Sequence, residues 1–358
     1  MSATARALPN PEFWRGRRVL LTGHTGFKGS WLSLWLSRLG AQVTGMALAP
    51  QTEPNLFTSA SVDRSIRDRL VDVRDREAVR VTAIEADPEV VLHLAAQPLV
   101  LESYKTPIET FSTNVIGALH VLEAIRDARN VKVVVVVTTD KVYTNREWTY
   151  PYREDDPLGG HDPYSASKAA CEIAVACYRQ SFLATGGVAV ASARAGNVIG
   201  GGDWSSNRLI PDIVRAWLAG ESADIRRPNS VRPWQHVLEP LCGYLTLAER
   251  LWDEPDLAGS YNFGPQSHDV ATVRAVIEIA QRTFGGGQVA FAREKSGPHE
   301  AGLLSLEIAK ARTILDFSPT WGLEEAVART MRWYRDFHQG ASARHLCERD
   351  ILAYEDRS

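Results

Sequence analysis

The sequence predicts an α/β fold: a doubly wound parallel sheet joined to a smaller mixed α/β domain. Short runs rich in β-branched residues alternate with longer amphipathic stretches from residue 17 to about residue 193. One run, residues 131–138, is apolar at nearly every position, as expected for a central strand buried on both faces. A glycine-rich turn follows the first run directly and leads into an amphipathic stretch.

The individual elements follow from the spacing of apolar residues and from the turn residues between them. Strands are predicted at residues 18–22, 42–47, 68–71, 90–94, 131–138 and 188–193. Helices are predicted at residues 29–39, 75–86, 107–126, 163–185, 210–219, 239–252, 272–284, 306–315 and 323–338.

This order of elements indicates two domains. Residues 13–193 form a Rossmann-type dinucleotide-binding domain, to which residues 235–265 return with a strand at 260–263. Residues 194–234 and 266–340 are looser in pattern and are expected to form the substrate domain. The charged residues 341–358 are expected to be a loosely ordered tail.

Composition excludes several classes of function. With a net charge of −3 and scattered Lys and Arg residues, the chain has no basic stretch suited to binding nucleic acid. No apolar run is long enough for a signal peptide or a membrane span, so we expect a cytoplasmic protein without a membrane partner. The four cysteines form no CxxC pair, so they are expected to be reduced and buried, with neither disulfides nor a metal site.

The turn after the first strand predicts a dinucleotide site. Glycines three residues apart, where a strand leads into a helix, let the backbone approach a pyrophosphate at the helix N-terminus. A purely structural turn is the alternative, but the position after the first strand favours cofactor binding. The residues expected at the cofactor are Gly23, Thr25, Gly26, Phe27, Lys28 and Gly29.

Residues after the next strands extend this site. The end of the second strand carries neither an acidic residue for a ribose nor an arginine for a 2′-phosphate, so it does not decide between NAD and NADP. Asp72, followed by Val73, either accepts a hydrogen bond from an adenine amino group or caps the next helix. Leu94, Ala95 and Ala96 follow the fourth strand, where small side chains suit either a passing cofactor or tight packing.

A tyrosine and a lysine predict the catalytic centre. Tyr164 and Lys168 lie four residues apart on a predicted helix and therefore share a face. An ammonium beside a phenol favours the phenolate, which can take a proton from a substrate hydroxyl. A surface pair is the alternative, but Thr139 at the edge of the central strand and the upstream glycine turn favour catalysis.

Longer strings carry a family resemblance. The glycine turn, Thr139 and residues 164–168 resemble the extended short-chain dehydrogenase/reductase superfamily. Over residues 13–338 the chain more narrowly resembles the CDP-glucose 4,6-dehydratase family, through residues 23–31, 139–143, 162–164, 194–204 and 232–237.

The resemblance implies an internal redox cycle with NAD as cofactor, which Tyr164 and Lys168 are also expected to bind. The sugar is oxidised at C4, with Tyr164 as base and Thr139 on the same oxygen; water then leaves across C5 and C6, and the hydride returns to C6. Asp140 is the candidate acid for the C6 hydroxyl. Related dTDP-glucose dehydratases carry glutamate where this chain has Lys141, so the C5 base stays open, and Lys141 either acts as that base or holds an enolate.

The resemblance also implies a CDP-sugar as substrate. Asn197, Arg208 and Arg232 match positions that grip the nucleotide diphosphate, for which guanidinium groups are suited, and His299 and Glu300 match positions near the ribose. Trp204 and Trp234 either shape this pocket or belong to the core. Members of the family pair through two helices, here 107–126 and 163–185, which implies a homodimer or homotetramer.

Two other readings stay open. One is a 4-epimerase, or a dehydratase for a dTDP, UDP or GDP sugar, in the same superfamily. An epimerase needs Tyr164 and Lys168 but no acid at C6, so Asp140 favours dehydration. The other is a non-catalytic NAD-binding sensor, which the intact Thr139, Tyr164 and Lys168 disfavour.

Overall fold

A computed structural model describes residues 7–266, 269–291 and 302–356. Within these ranges the strands are β1 (Arg18–Thr22), β2 (Gln42–Ala47), β3 (Arg67–Leu70), β4 (Val90–His93), β5 (Val133–Val137), β6 (Ala189–Ala195), β7 (Val198–Ile199), β8 (Ser222–Ile225), β9 (Val231–Arg232), β10 (Gln235–His236), β11 (Ser260–Phe263), β12 (Ala271–Thr272) and β13 (Gln288–Phe291).

The helices of the same ranges alternate with these strands. They are α1 (Pro11–Trp14), α2 (Phe27–Arg38), α3 (Leu56–Ser59), α4 (Arg76–Ala86), α5 (Val100–Lys105), α6 (Pro107–Phe111), α7 (Gly117–Arg126), α8 (Pro163–Tyr178), α9 (Leu209–Leu218), α10 (Leu238–Asp253), α11 (Val273–Phe284), α12 (Ala309–Leu315), α13 (Leu323–His338) and α14 (Ala343–Glu355).

The main sheet is parallel and has seven strands in the described ranges, in the order β3-β2-β1-β4-β5-β6-β11. The chain order reverses between β1 and β4, and the crevice beyond the carboxyl ends of strands at such a point is where open α/β sheets bind ligands. The predicted doubly wound fold is confirmed, and β11 joins the sheet beside β6.

Strand β5 shows why helices cover both faces. All five of its valines are buried. Val133, Val135 and Val137 pack in one apolar cluster with residues of α2 and α10, whereas Val134 and Val136 pack in a second cluster with residues of α4, α7 and α8. Because side chains alternate along a strand, a continuous valine run can be buried only between two helical layers.

Within the described part of the chain, elements outside the main sheet form three small ladders. Strand β7 pairs with β10 and β8 with β13, both in parallel, while β9 pairs with β12 in antiparallel orientation. The predicted helix 107–126 is observed as α6 and α7 joined by a π-helical turn, Ser112–Ile116.

The expectation of a loosely ordered tail after residue 340 is wrong. Residues 343–355 form α14, in which Leu346, Ile351 and Tyr354 are buried. The Tyr354 hydroxyl donates to Glu239 Oε2 (2.6 Å), and Trp35 Nε1 donates to Glu355 Oε1 (3.0 Å). The helix therefore packs on the core, although its charged residues obscure the apolar spacing in the sequence.

None of the four cysteines forms a disulfide, but one departs from the expectation of burial. Cys171, Cys242 and Cys347 are buried, whereas Cys177 is exposed on α8. In the described ranges no helix combines the length and the apolar character that crossing a bilayer requires. The same ranges hold no cluster of three His, Cys, Asp or Glu residues arranged to bind a metal ion.

Candidate active site

A cavity of about 1450 Å³ lies at the carboxyl edge of the main sheet. Its wall includes residues that end or follow β1, β4, β5 and β6, and residues of the elements beyond β6. Pockets for a single small ligand commonly measure roughly 300–1,000 Å³. The cavity therefore has room for a dinucleotide and a second ligand together.

The glycine turn fits a dinucleotide because side chains are excluded from it. Gly23 has a φ of +77°, and a Cβ atom there would lie 2.7 Å from Ala95 N. A Cβ atom on Gly29 would lie 2.1 Å from Gly23 O. Gly26 begins α2 without a side-chain cap, so the first-turn N–H groups of this helix are available to an anion at the cavity wall.

A buried polar pair that the sequence analysis missed supports this turn. The Thr22 hydroxyl accepts from the Leu94 and Ala95 amides (3.1 Å each) and lies 2.7 Å from His93 Nδ1. Burial lowers the pKa of His93 to about 3, so its ring is neutral. A polar residue at the end of an otherwise apolar strand was the available signal.

The other expected cofactor residues line the same cavity. The Thr25 hydroxyl donates to Leu48 O (2.8 Å), which ties the turn to the end of β2. Asp72 does not cap α4, because Asp75 accepts from the amides of its first turn. Asp72 instead pairs with Arg74 (2.6 Å) at the cavity wall. The remaining lining residues of this group are Phe27, Lys28, Val73, Leu94, Ala95 and Ala96.

Lys28 brings a cationic group into the turn. Its Nζ atom lies 6.0 Å from the centre of the Tyr244 ring. Burial lowers the pKa of Lys28 to about 7, and the positive charges of Arg208 and Lys168 act in the same direction. The glycine turn and the predicted catalytic centre therefore share one electrostatic environment.

Helix α8 presents Tyr164 and Lys168 to the cavity on one buried face, as predicted. The helix begins where Asp162 Oδ1 accepts from Ser165 N (2.9 Å), and Pro163 occupies its first turn. Lys168 Nζ donates to Val137 O (3.0 Å). The lysine thereby holds α8 against the carboxyl end of β5.

The environment of Tyr164 differs from the sequence-based interpretation. Burial raises the pKa of Tyr164 to about 12. Two effects lower this pKa: a hydrogen bond with Thr139 has the larger influence, and the positive charge of Arg208 has the smaller one. Lys168 is not among the main causes. Burial also lowers the pKa of Lys168 itself.

Thr139, Asp140 and Lys141 follow β5 and lie beside Tyr164. The Thr139 hydroxyl donates to Asp140 Oδ1 (3.0 Å), and Lys141 Nζ lies 4.0 Å from the same oxygen. Asp140 Oδ2 is buried without a hydrogen-bond partner in the described ranges. It faces Gly196, where a Cβ atom would lie only 3.3 Å away. One carboxylate oxygen of Asp140 is thus left for a ligand.

Three of the five predicted substrate residues line the cavity. Asn197 Oδ1 is buried and has no hydrogen-bond partner in the described ranges. Arg208 pairs with Asp203 Oδ2 (2.9 Å), and the buried Arg232 donates from Nη1 to Val231 O (2.9 Å). His299 and Glu300 lie outside the described residues.

The two tryptophans of this region line the cavity and also belong to the core. Trp204 packs edge-on against Tyr334, with ring centres 5.2 Å apart. Trp234 Nε1 donates to Ala271 O (3.2 Å). Asp203, which the sequence analysis did not single out, orients Arg208, and its place in the string 194–204 was the available signal.

Comparisons with known proteins cover most of the chain. The family model for GDP-mannose 4,6 dehydratase matches residues 20–330. The CDP-glucose 4,6-dehydratase of Salmonella typhimurium is 45% identical over 96% of this chain and 97% of its own length. A dTDP-glucose 4,6-dehydratase of Xanthomonas campestris pv. campestris is 28% identical over 88% of this chain and 92% of its own.

A solved structure supports the fold. The UDP-glucose-4-epimerase of Stenotrophomonas maltophila, with bound NAD, superposes with a TM-score of 0.79 at 22% identity, covering 91% of this chain and 100% of that one. At this sequence identity the structural similarity supports the fold alone. The matched family model and the 45% identical relative, each spanning most of the chain, establish that it belongs to the GDP-mannose 4,6 dehydratase family of the extended short-chain dehydrogenase/reductase superfamily.

Proposed function

We propose that the protein is an NAD-dependent CDP-glucose 4,6-dehydratase, which converts CDP-glucose to CDP-4-keto-6-deoxyglucose. The observation that carries the proposal is the meeting of Tyr164, Thr139 and Asp140 at the carboxyl edge of β5, in the same cavity as the glycine turn. This arrangement places a candidate base for oxidation beside a candidate acid for elimination. The 45% identical relative supports the choice of CDP-glucose.

The oxidation step draws on Tyr164 and Thr139. When bound at the glycine turn, NAD+ supplies a hydride acceptor for the sugar. Tyr164 takes the proton of the C4 hydroxyl, and Thr139 is hydrogen-bonded to the same oxygen. Arg208 helps to stabilise the phenolate, since its positive charge opposes the effect of burial on the pKa of Tyr164.

The elimination step draws on Asp140 and a second group. Asp140 supplies the proton to the departing C6 hydroxyl through Oδ2, the oxygen without a partner in the described ranges. Lys141, whose side chain is 32% exposed, either removes the C5 proton or holds the enolate that forms. Asn197, Arg208 and Arg232 hold the diphosphate, for which two guanidinium groups and an amide in one wall are suited.

A substrate panel tests the proposed function. The purified protein with NAD+ is offered CDP-, dTDP-, UDP- and GDP-glucose, and alkali-induced 4-keto absorbance and product mass are followed. We expect a product that has lost one water molecule, formed fastest from CDP-glucose. Faster turnover of another nucleotide sugar would show that CDP-glucose is not the substrate. A product of unchanged mass would indicate an epimerase. NAD binding without turnover of any sugar would indicate a sensor.

Replacing Gly29 by alanine should weaken NAD+ binding by about ten-fold or more, or about 1.4 kcal/mol. The new Cβ atom would lie 2.1 Å from the backbone oxygen of Gly23, so the turn must shift. Gly186→Ala is the matched control, because nothing lies within 4 Å of a Cβ atom there. Calorimetric titration measures both affinities. Equal binding by wild type and Gly29→Ala would reduce the turn to a structural feature.

NAD+ should stabilise the protein more than NADP+ in a thermal-shift titration. The cavity wall after β2 includes Leu48, Ala49 and Gln51, none of which neutralises a 2′-phosphate. A cycle that returns its hydride also needs no free reduced cofactor. Equal stabilisation by the two dinucleotides would contradict the assignment of NAD.

We further infer that the active form is a homodimer or homotetramer. The expected pairing helices, 107–126 and 163–185, expose apolar side chains, among them Ile108 at 73% and Ile173 at 61%. Burying such residues between two copies removes apolar surface from water. The proposed setting is the cytoplasmic supply of deoxysugars for surface polysaccharide.

A further inference from the structure

A buried ion pair lies behind the catalytic residues that follow β5. Glu172 on α8 and Arg194 on β6 are joined at 2.8 Å, and their side chains are only 2% and 3% exposed. Neither residue lines the cavity. The pair therefore acts on ligands only through other residues.

Glu172 holds the N-terminal side of the catalytic segment, defined as residues 139–141. The Thr138 hydroxyl donates to Glu172 Oε1. Glu172 Oε2 accepts from Ser192 (2.6 Å) and Ser260 (3.2 Å), on β6 and β11. One carboxylate on α8 thus accepts hydrogen bonds from β6, from β11 and from Thr138, the residue between β5 and Thr139.

Arg194 holds the C-terminal side of the same segment. Its Nη1 atom donates to the Tyr143 hydroxyl (2.9 Å) and to Glu154 O (2.8 Å). The Tyr143 hydroxyl in turn donates to Asn262 Oδ1 (2.7 Å) on β11. The segment is therefore fixed on both sides by the two halves of one ion pair.

Helix α8 adds a third constraint through Lys168. Lys168 lies one turn before Glu172 and binds Val137 O, the carbonyl group two residues before Thr139. The negative charge of Glu172 also opposes the lowering of the Lys168 pKa by burial. Lys168 and Glu172, one turn apart on α8, thus both contact the residues that directly precede the segment.

We propose that the Glu172–Arg194 ion pair is a positioning pair, which sets the places of Thr139, Asp140 and Lys141 for the dehydratase reaction. This inference rests on the function proposed above. Stability alone gives little reason for such a pair, since the desolvation cost of two buried charges often matches their attraction. Catalysis does give one, because displacing reacting groups by about 1 Å can cost on the order of 100-fold in rate.

The pair is tested first with Glu172→Gln and with the milder Thr138→Val. Glu172→Gln should lower kcat on the order of 10–100-fold, while KM for CDP-glucose changes much less, because the cavity wall is untouched. Thr138→Val removes the hydroxyl that donates to the buried Glu172 Oε1, so kcat should fall by more than the accompanying loss of Tm explains. Unchanged kcat in both variants would overturn the proposal.

A double variant separates positioning from charge compensation. Glu172→Gln with Arg194→Met removes both charges, so it should regain stability that the single variant loses to an unpaired buried guanidinium. It should not regain kcat, because Tyr143 and Glu154 have lost their donor and the amide that replaces the Glu172 carboxylate binds the Thr138 hydroxyl more weakly. Recovery of kcat together with Tm would mean that the pair only compensates charge.

Asp350→Asn is the matched control for stability. Asp350 on α14 is buried and pairs with Arg329 (3.2 Å) away from the cavity. We expect a lower Tm with normal kcat. A loss of kcat as large as that of Glu172→Gln would show that general destabilisation explains both effects.

Hydrogen exchange provides a readout that needs no turnover. Backbone amides of residues 138–143 should exchange faster in Glu172→Gln and in the double variant than in wild type, but not in Asp350→Asn. If the wild-type protein turned over none of the nucleotide sugars, the proposed function would be wrong. The exchange measurement would still test whether the Glu172–Arg194 pair holds the segment in place. Unchanged exchange in Glu172→Gln would overturn the positioning role.

Discussion

Tyr164→Phe should stop oxidation of CDP-glucose, with a loss in kcat of roughly 10²–10⁴-fold, as is typical when a general base is removed. The phenylalanine ring can occupy the same buried position on α8, so NAD+ affinity should change little. Without the hydroxyl no group takes the C4 proton, and every later step depends on the ketone. Single-turnover mixtures with CDP-glucose should therefore show no absorbance of reduced nicotinamide.

The pH dependence provides a second readout for Tyr164. Burial raises the pKa of Tyr164 to about 12, so the phenol of the free protein is protonated at neutral pH. A base that must first lose a proton becomes more active as pH rises toward its pKa, so kcat/KM should increase between neutral and alkaline pH until another group limits the rate. That increase should be absent from the residual activity of Tyr164→Phe.

A control on the same helix excludes a general effect of losing a hydroxyl group. The Tyr178 hydroxyl donates to Glu123 Oε2 (2.9 Å) on α7, away from the cavity. Tyr178→Phe should retain wild-type kcat and the same pH dependence. Near-normal turnover in Tyr164→Phe would remove Tyr164 from the base role and direct attention to other groups of the cavity.

The sequence predicted the fold where local and global signals agree. Five consecutive valines in β5 can be buried only in a sheet with helices on both faces, and the glycine turn fixes the first strand-to-helix connection. Helix α14 was missed because its charged residues mask the buried Leu346, Ile351 and Tyr354. The π-helical turn Ser112–Ile116 interrupts a continuous apolar pattern and leaves no trace in it.

Sequence reasoning named residues that mostly line one cavity, but it did not reveal their hydrogen-bond and charge partners. Spacing placed Tyr164 and Lys168 on one face of α8, and the structure agrees. Spacing did not reveal that Lys168 binds Val137 O or that burial dominates the pKa of Tyr164, because both depend on tertiary contacts. For the same reason Asp72 and Asp75 could not be told apart as caps of α4.

Asp140→Asn should separate the two halves of the reaction by leaving oxidation intact and stopping elimination. The asparagine oxygen can still accept from Thr139, as Asp140 Oδ1 does at 3.0 Å, and Tyr164 and Lys168 are unchanged. The C6 hydroxyl, however, loses the carboxyl oxygen that has no partner in the described ranges and is free to deliver a proton. Reduced nicotinamide should therefore accumulate in a single turnover with CDP-glucose, while overall kcat falls by roughly 10²–10⁴-fold.

Exchange of the C5 proton with heavy water shows whether a variant stops before or after removal of that proton. If Lys141 removes that proton, Asp140→Asn should still exchange it while retaining the C6 oxygen, whereas Lys141→Met should form reduced nicotinamide without exchange. Both variants leave the glycine turn and Tyr164 in place, so equal NAD+ affinity is the common control. Full turnover in Asp140→Asn would show that Asp140 is not the elimination acid. A block of nicotinamide reduction as complete as in Tyr164→Phe would show the same, because an acid needed only at C6 cannot control the earlier loss of hydride from C4.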